Sequence, residues 1–151
     1  MNYAELQVTT HFSFLRGASH PEELFVRAAE LGLPALGMVD RNSLAGIVQA
    51  HQHAEKAGVR LVVGCRLDLT GGPSVLVYPT DRAAYSRLCR LLSLGKRRAG
   101  KGACDLGWSD LAAHGEGLLA VLLADQPDAA LGSDLHRLRG GRCNPGRTGQ
   151  R

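Results

Sequence analysis

The sequence lacks any long apolar run, and it has few aromatic residues. None of its 151 residues belongs to an apolar stretch of membrane-spanning length, and Phe, Trp and Tyr together make up 5% of the chain. Residues 1–5 provide neither a basic region nor an apolar one, so they do not read as a secretory or mitochondrial targeting segment. We therefore expect a cytoplasmic protein that makes no contact with a membrane.

Several catalytic and metal-binding signatures are also missing. The four cysteines lie far apart without a CxxC spacing, which disfavours a zinc site and a thioredoxin-type centre and favours reduced thiols. Neither the GxxxxGK[ST] order of a phosphate-binding loop nor the GxSxG order of a serine hydrolase occurs. The sequence therefore supports neither nucleotide hydrolysis on a P-loop nor serine-type catalysis.

What is present is the composition of an ordinary globular domain. Hydrophobic residues account for 44% and charged residues for 21% of the chain, and its length suits one domain. The formal net charge is +4, but all 14 acidic residues lie at or before His136, and five arginines follow it. The body of the chain thus gives no electrostatic reason to bind nucleic acid. From residue 139 onward, the Gly- and Arg-rich composition predicts a disordered tail.

Apolar periodicity and turn residues predict alternating strands and helices. Ser19 and Glu22 form a capping-box pattern before the first helix, and Gly58 stops the second. The order of elements, β-α-β-α-β-β-α-α-β, predicts a largely parallel α/β domain with helices outside a sheet or barrel. The expected bounds are strands at 6–9, 35–39, 60–64, 65–69, 75–78 and 118–123, helices at 21–31 and about 43–56, and a third helix capped by Thr80 or Asp81.

The ends of the predicted parallel strands carry one natural metal ligand. Functional groups collect where such strands end, because the loops there converge. In this chain those positions are about 7–11, 40–43 and Arg66. A phosphoesterase metal cluster needs several converging His, Asp or Glu side chains, and among the central residues only Asp40 qualifies. Gln7 and Thr9 are poor substitutes, and arginine cannot ligate a metal.

A His-x-His pair occurs at His51 and His53. It falls in a predicted helix, where at about 100° per residue the two rings point about 200° apart and cannot chelate one ion. We expect both rings to lie on a solvated helix surface.

A basic, glycine-bearing segment spans residues 95–102. We interpret it as a loop after a helix, with side chains that could contact phosphate, namely Lys96, Arg97, Arg98 and Lys101. The alternative is a solvated loop whose cations are favoured by the dipole at the end of the preceding helix.

Several long motifs, in order and spacing, resemble one family. The strings YAELQVT at 3–9 and FSFLRGASHPEEL at 12–24 are similar to the start of bacterial error-prone DNA polymerases, which are C-family paralogues of the DNA polymerase III alpha subunit. The similarity covers about residues 3–135 and continues through DRNSLAG at 40–46, VGCRL at 63–67, YPTDR at 78–82 and LSLGKRRAGKG at 92–102.

The resemblance implies a PHP (polymerase and histidinol phosphatase) domain, which binds a metal cluster in many relatives. The fold class would be α/β, an incomplete PHP-type distorted β/α barrel with a disordered C-terminal tail. The partial PHP domain would occupy residues 1–138. Residues 139–151 would form the tail, which no longer resembles the family and which a frameshift or a truncated gene would explain.

The expected metal-binding positions depart from the family pattern. Where metal-binding relatives have His-x-His-Ser, the resemblance places Gln7 and Thr9 at the two histidines. The Asp-His of the second motif becomes Asp40 and Arg41, and a later glutamate becomes Arg66. Two fixed positive charges would repel a dication, so we expect a degenerate metal site. Our hypothesis is that Arg41 or Arg66 forms an ion pair with Asp40.

The resemblance implies a role through a much longer parent enzyme. That parent would be a DNA-directed DNA polymerase, a nucleotidyltransferase of translesion synthesis and DNA repair, with Mg as its expected cofactor. The fragment would be structural, with no catalytic residue and no cofactor of its own. Its partners would be the rest of the polymerase chain, DNA through the parent, and other translesion-synthesis proteins. Two alternatives are a small nucleic-acid-binding module that uses the basic loop and tail, and a metal-dependent PHP phosphoesterase.

Overall fold

Three short parallel strands and two helices make up the first part of the chain. The computed structural model describes residues 3–123 and 129–140, and the chain divides into two compact units, Met1–Arg66 and Leu67–Arg151. The first unit has a three-stranded sheet in the order β1-β2-β3, with both pairings parallel. Its elements are β1 at Glu5–Val8, α1 at Pro21–Glu30, β2 at Ala35–Met38, α2 at Ile47–Ala57 and β3 at Arg60–Val63.

Helix α1 begins at a proline, and this shifts its cap by one residue from the predicted position. Pro21 has no N–H to donate and a fixed φ, so it suits the first helical position and makes His20 the N-cap. The backbone amide of His20 donates to the Glu23 carboxylate at 2.8 Å. The predicted Ser19–Glu22 box is therefore wrong by one position, although the predicted start of the helix is confirmed. Gly32, with φ of +67°, follows the end of the helix.

Helix α2 begins at Ile47, four residues later than the predicted Ser43. Residues 43–46 do not join the helix, because the Ser43 hydroxyl accepts a hydrogen bond from the Ala45 amide at 3.2 Å and closes a local turn. The predicted stop is confirmed, since Gly58 ends the helix with φ of +67°. Helices α1 and α2 and strand β2 bury one apolar cluster, formed with Val59 by Phe25, Ala28, Leu36, Met38, Ala50 and Ala54.

The second unit is built on strands that are not parallel, unlike the sequence expectation. Its sheet has the order β4-β5-β6, and β5 pairs antiparallel with β6 from Ser74↔Leu123 to Pro79↔Leu118. The largely parallel arrangement therefore holds in the first unit only. The bounds are β4 at Cys65–Asp68, where the chain passes from one unit to the other, β5 at Ser74–Pro79, α3 at Arg82–Arg98, α4 at Trp108–His114, β6 at Leu118–Leu123 and α5 at Ala129–Gly140.

The antiparallel pairing follows from where the helical excursion returns. Thr80 directly follows β5, and its amide and hydroxyl both donate to the Gly117 carbonyl, at 3.0 Å and 2.8 Å. Gly117 directly precedes β6. The chain therefore leaves the sheet before α3 and rejoins it after α4 at the same end of β5. The next strand, β6, must run back along β5.

Helix α3 is longer than the sequence suggested. Asp81 caps its start by accepting the Ala84 amide at 2.7 Å, as one of the two predicted caps. The helix then continues through Arg98, so the predicted basic loop at 95–102 is wrong for its first four residues. Gly95 is buried under residues 104–106. A Cβ at this position would lie 2.6 Å from Leu106 Cγ and 2.7 Å from Cys104 Sγ, so a larger residue would not fit. This glycine lets the following segment cross the helix closely.

The end of the described chain is helical. Helix α5 includes Arg139 and Gly140, which the sequence assigned to the tail. Residues 141–151 lie outside the described residues, so the predicted disorder and the proposed domain boundary stay predictions. Among the described residues, no helix combines the length and the apolar character that crossing a membrane requires.

Candidate functional site at the Asp40 carboxylate

Asp40 lies just beyond the end of β2 and is almost fully buried, with 3% of its surface exposed. Its Oδ1 accepts the Thr10 amide at 2.8 Å and the Ser13 hydroxyl at 2.6 Å. Its Oδ2 accepts the Thr10 hydroxyl at 2.8 Å. Three donors thus compensate a carboxylate that has lost most of its contact with water. We call these three residues the Asp40 network.

The parallel pairing of β1 and β2 brings this network together. The Val39 amide donates to the Val8 carbonyl at 2.8 Å, which continues the pairing one residue beyond the end of β2. Thr10 and Asp40 therefore follow the same end of two adjacent parallel strands. The sequence around Thr10 or around Asp40 does not predict this contact, since the two residues are 30 positions apart.

A tight turn returns Ser13 to the same carboxylate. The Ser13 amide donates to the Thr10 carbonyl at 3.0 Å, and the Gly17 amide donates to the Ser13 carbonyl at 3.1 Å. Gly17 is required sterically, because a Cβ there would overlap the carbonyl oxygen of Thr10. Leu15 lies in this turn with φ of +59°, a region that residues other than glycine seldom adopt.

The backbone around Asp40 is also bonded to the start of β4. The Asp40 carbonyl accepts the Arg66 amide at 3.0 Å and the buried Cys65 thiol at 3.4 Å. Asn42 donates its amide to the Arg66 carbonyl at 2.8 Å, and Arg41 forms a parallel bridge with Arg66. The Ser13 hydroxyl also accepts the Arg41 amide at 2.9 Å. The segments that follow β1 and β2 therefore meet the start of β4 at Asp40.

Of the five predicted metal-site positions, only Asp40 belongs to the Asp40 network. The other four are Gln7, Thr9, Arg41 and Arg66. Gln7 is exposed on β1, and Thr9 is half-buried. The Asp40 carboxylate is held by Thr10 and Ser13, and within residues 3–123 neither Arg41 nor Arg66 is among its side-chain partners. The structure therefore gives Asp40 different partners from those in the ion-pair hypothesis.

Sequence reasoning missed Thr10 and Ser13. The available signal was chemical, because a buried aspartate requires donors, and the segment after β1 offers hydroxyls at Thr9, Thr10 and Ser13. The spacing alone did not show which of these hydroxyls faces Asp40.

These residues do not fit a divalent metal. Hydrogen-bond donors already point at both Asp40 oxygens, and a metal would have to displace them. Gln7 and Thr9, where the resemblance places two histidines, carry an amide and a hydroxyl, which are poor ligands for such a metal. In the part of the chain that the structure describes, no three His, Cys, Asp or Glu side chains come together to hold a metal. The arrangement is suited to joining strand ends, and no reaction step follows from it.

The four predicted phosphate contacts are dispersed. Lys96, Arg97 and Arg98 lie in the last turn of α3, and Lys101 follows in an exposed turn. Arg98 forms an ion pair with Asp110 at 2.7 Å. The Gly107 amide, followed by the Arg98 guanidinium, holds the pKa of Asp110 below its ordinary value.

Arg97 lies instead in a groove beside α3, together with Arg90. The groove has a volume of about 450 Å³, and His114 of α4 also lines it.

The His-x-His pair lies in α2, as the sequence predicts. His51 is exposed, with its Nε2 3.5 Å from Glu55 Oε1, and His53 is half-buried. Helical placement of the pair is therefore confirmed.

Comparison with known proteins agrees with this fold. The sequence model of the PHP domain matches residues 5–141. The chain belongs to the PHP domain family, as the motifs suggested.

Among individual relatives, "Error-prone DNA polymerase 1" of Agrobacterium fabrum is 66% identical over 137 residues. This match covers 91% of the chain but only 13% of that protein, so the chain spans a small part of the length of such relatives.

Two solved structures share the fold. One is described as a metal-dependent phosphoesterase from Bifidobacterium adolescentis, with a TM-score of 0.53 and 21% identity over 62% of this chain and 33% of the other. The second is an amidohydrolase from Chromobacterium violaceum with bound sulfate and no metal, with a TM-score of 0.54 and 22% identity over 64% of this chain and 34% of the other. At this identity the likeness concerns the fold alone.

Proposed function

We propose that this chain is the PHP-domain part of an error-prone DNA polymerase and that it serves that enzyme structurally. The observation that carries the proposal is the 66% identity to such a polymerase across 91% of the chain. The enzyme would be a DNA-directed DNA polymerase of the cytoplasm, acting in translesion synthesis and DNA repair. Its Mg-dependent centre, its DNA contacts and its protein partners would depend on the rest of the polymerase chain.

The Asp40 network supports a structural role. A carboxylate that accepts three hydrogen bonds in a buried position has little capacity left to bind a metal or to move a proton. The Asp40 carboxylate instead holds the turn after β1 in a fixed position against the end of β2. A polymerase could use this part as a rigid base for its other domains.

A chimeric polymerase tests the proposal. Residues 5–141 of this chain replace the matched segment of the Agrobacterium fabrum enzyme, and primer extension is measured with Mg on a primed template. We expect DNA synthesis within severalfold of the parent, and none from a matched control in which the segment is deleted. A chimera that is folded by circular dichroism and yet inactive would overturn the proposal.

A measurement of bound metal distinguishes the phosphoesterase alternative from the proposed structural role. The 151-residue chain is purified, dialysed against Mn, and assayed for bound metal and for hydrolysis of p-nitrophenyl phosphate. We expect neither stoichiometric metal nor turnover. Metal that is bound stoichiometrically and lost in Asp40→Ala would contradict the structural role of Asp40.

A further inference from the structure

A groove beside α3 is lined by basic and hydroxyl side chains together with Cys89 and Leu94. Ser86, Arg90, Ser93 and Arg97 contribute to its wall from α3, and His114 contributes from α4. On a helix these four α3 positions recur at intervals of four, three and four residues, so they form one continuous stripe. Among the residues that the structure describes, no acidic side chain lines the groove.

The two arginines of the groove differ from others on the same helix in their contacts. Arg87 donates to the Glu116 carbonyl at 2.8 Å, and Arg98 is paired with Asp110 at 2.7 Å. Arg90 and Arg97 are exposed, and neither has a hydrogen bond or an ion pair to another described residue. Their guanidinium donors are therefore available to a ligand.

The charge around the groove is uncompensated along α3 itself. The helix carries six basic residues and no acidic one in 17 positions. The nearest compensating carboxylate on α4, Asp110, is occupied by Arg98 and the Gly107 amide. A ligand that suits this site is an anion with several oxygen acceptors, and phosphate matches the fork geometry of arginine.

We infer that the α3 groove binds phosphate groups of a nucleic acid strand through Arg90 and Arg97. The choice of a nucleic acid among polyanions rests on the proposed function. The two arginines are about 10 Å apart along the helix axis at 1.5 Å per residue. In a stacked strand successive phosphates advance about 3.4 Å along the helix axis, so one strand can present a phosphate to each arginine.

The remaining lining residues fit the same ligand. Ser86 has a hydroxyl without a partner among the described residues, so it can donate to a phosphate oxygen. Ser93 already donates to the Cys89 carbonyl at 2.8 Å. His114 Nδ1 is engaged with the Asp110 carbonyl at 3.0 Å, which leaves its Nε2 for a ligand.

Binding is tested with the purified 151-residue chain and a fluorescein-labelled single-stranded oligonucleotide of mixed sequence. The groove variant is Arg90→Gln with Arg97→Gln. The control is Arg82→Gln with Lys56→Gln, which removes the same charge from exposed positions outside the groove. Circular dichroism checks that each variant is folded.

We expect the groove variant to lose about tenfold in affinity at about 50 mM salt, and the control less than about threefold. The slope of log affinity against log salt should become shallower by about 0.7 for each lost phosphate contact, or about 1.4 in all. Equal losses in both variants would show that only the overall charge matters and would overturn the inference. Absence of binding at low salt would overturn it as well.

Cys89 provides a second measurement at the site, because its thiol lies among the lining residues. Alkylation of Cys89 by iodoacetamide, followed by mass spectrometry, should be slowed by the oligonucleotide and not by inorganic phosphate at the same phosphate concentration. Equal protection by inorganic phosphate would identify a small-anion site and would contradict binding of a strand. This test is independent of the chimera, because an inactive chimera leaves the binding result intact.

Discussion

Thr10 donates to both carboxylate oxygens of Asp40, one through its amide and the other through its hydroxyl, each at 2.8 Å. One residue thus closes two hydrogen bonds across the ends of adjacent parallel strands. Ser13 adds a third at 2.6 Å. The buried carboxylate after β2 is thus an acceptor for the chain's own donors.

Removal of this acceptor should be costly. Asp40→Ala leaves the Thr10 amide and hydroxyl and the Ser13 hydroxyl unpaired in a buried position, so we expect a loss of about 3–5 kcal/mol in the free energy of unfolding. Asp40→Asn keeps one acceptor oxygen and the same shape, and it should cost about 1–2 kcal/mol. Urea denaturation followed by circular dichroism measures both. Equal stability of the alanine variant and the native chain would refute the role given to this network.

Two glycines in helices should respond in opposite directions to the same substitution. Gly95→Ala places a Cβ 2.6 Å from Leu106 Cγ, and the overlap should cost about 1–3 kcal/mol. Gly132→Ala in α5 meets no atom within 4 Å and should gain about 0.5–1 kcal/mol from helix propensity. Thermal unfolding of the two variants gives the comparison. A stabilised Gly95→Ala would mean that the 104–106 segment does not lie closely across α3.

Asp110 should make stability depend on pH in the acid range. Its pKa in the folded chain is held below the ordinary 3.8, first by the Gly107 amide and then by Arg98. Its contribution is therefore complete above the unfolded-state pKa and is lost as the pH falls through the lower folded-state pKa. Asp110→Asn should destabilise the chain at pH 7, and the difference from the native chain should shrink below about pH 4. Urea midpoints at both pH values measure this difference.

Arg98→Gln serves as the partial control for that measurement. It removes one partner of Asp110 but keeps the Gly107 amide, which is the larger cause of the lowered pKa. We expect a smaller loss of stability than in Asp110→Asn, with the same decline in acid. A difference between native and Asp110→Asn chains that grows in acid would contradict the assignment.

Two neighbouring exposed residues allow a test of backbone strain. Leu15 and Phe14 are 85% and 84% exposed, but only Leu15 has a positive φ, of +59°. Leu15→Gly should relieve about 1–2 kcal/mol of strain against about 0.5–1 kcal/mol of added chain entropy, for a small net gain. Phe14→Gly has only the entropic loss and should destabilise the chain. The melting temperatures of both variants measure this difference. Equal destabilisation by the two substitutions would argue against a strained turn.

The sequence was informative where local chemistry decides the structure. Pro21 marks the start of α1, Gly58 marks the end of α2, and Asp81 caps α3. Each of these signals acts within one turn of the chain. The predicted strand bounds also placed Asp40 at the end of β2.

Contacts between distant segments account for the errors. The packing of Leu106 against Gly95 extends α3 through residues that looked like a glycine-rich loop. The return of the chain at Gly117 makes β6 antiparallel to β5. Thr10 and Ser13 reach Asp40 across 30 and 27 positions, and no periodicity reports such a contact.

The Asp40 network also determines what the fold requires from its surroundings. A domain whose strand ends are joined by metal ligation loses part of its folding free energy when a chelator is added or when the cell runs short of the ion. Here the corresponding junction is made from groups that are synthesised with the chain, at Thr10, Ser13 and Asp40. This part of the fold can therefore form in a cell starved of transition metals.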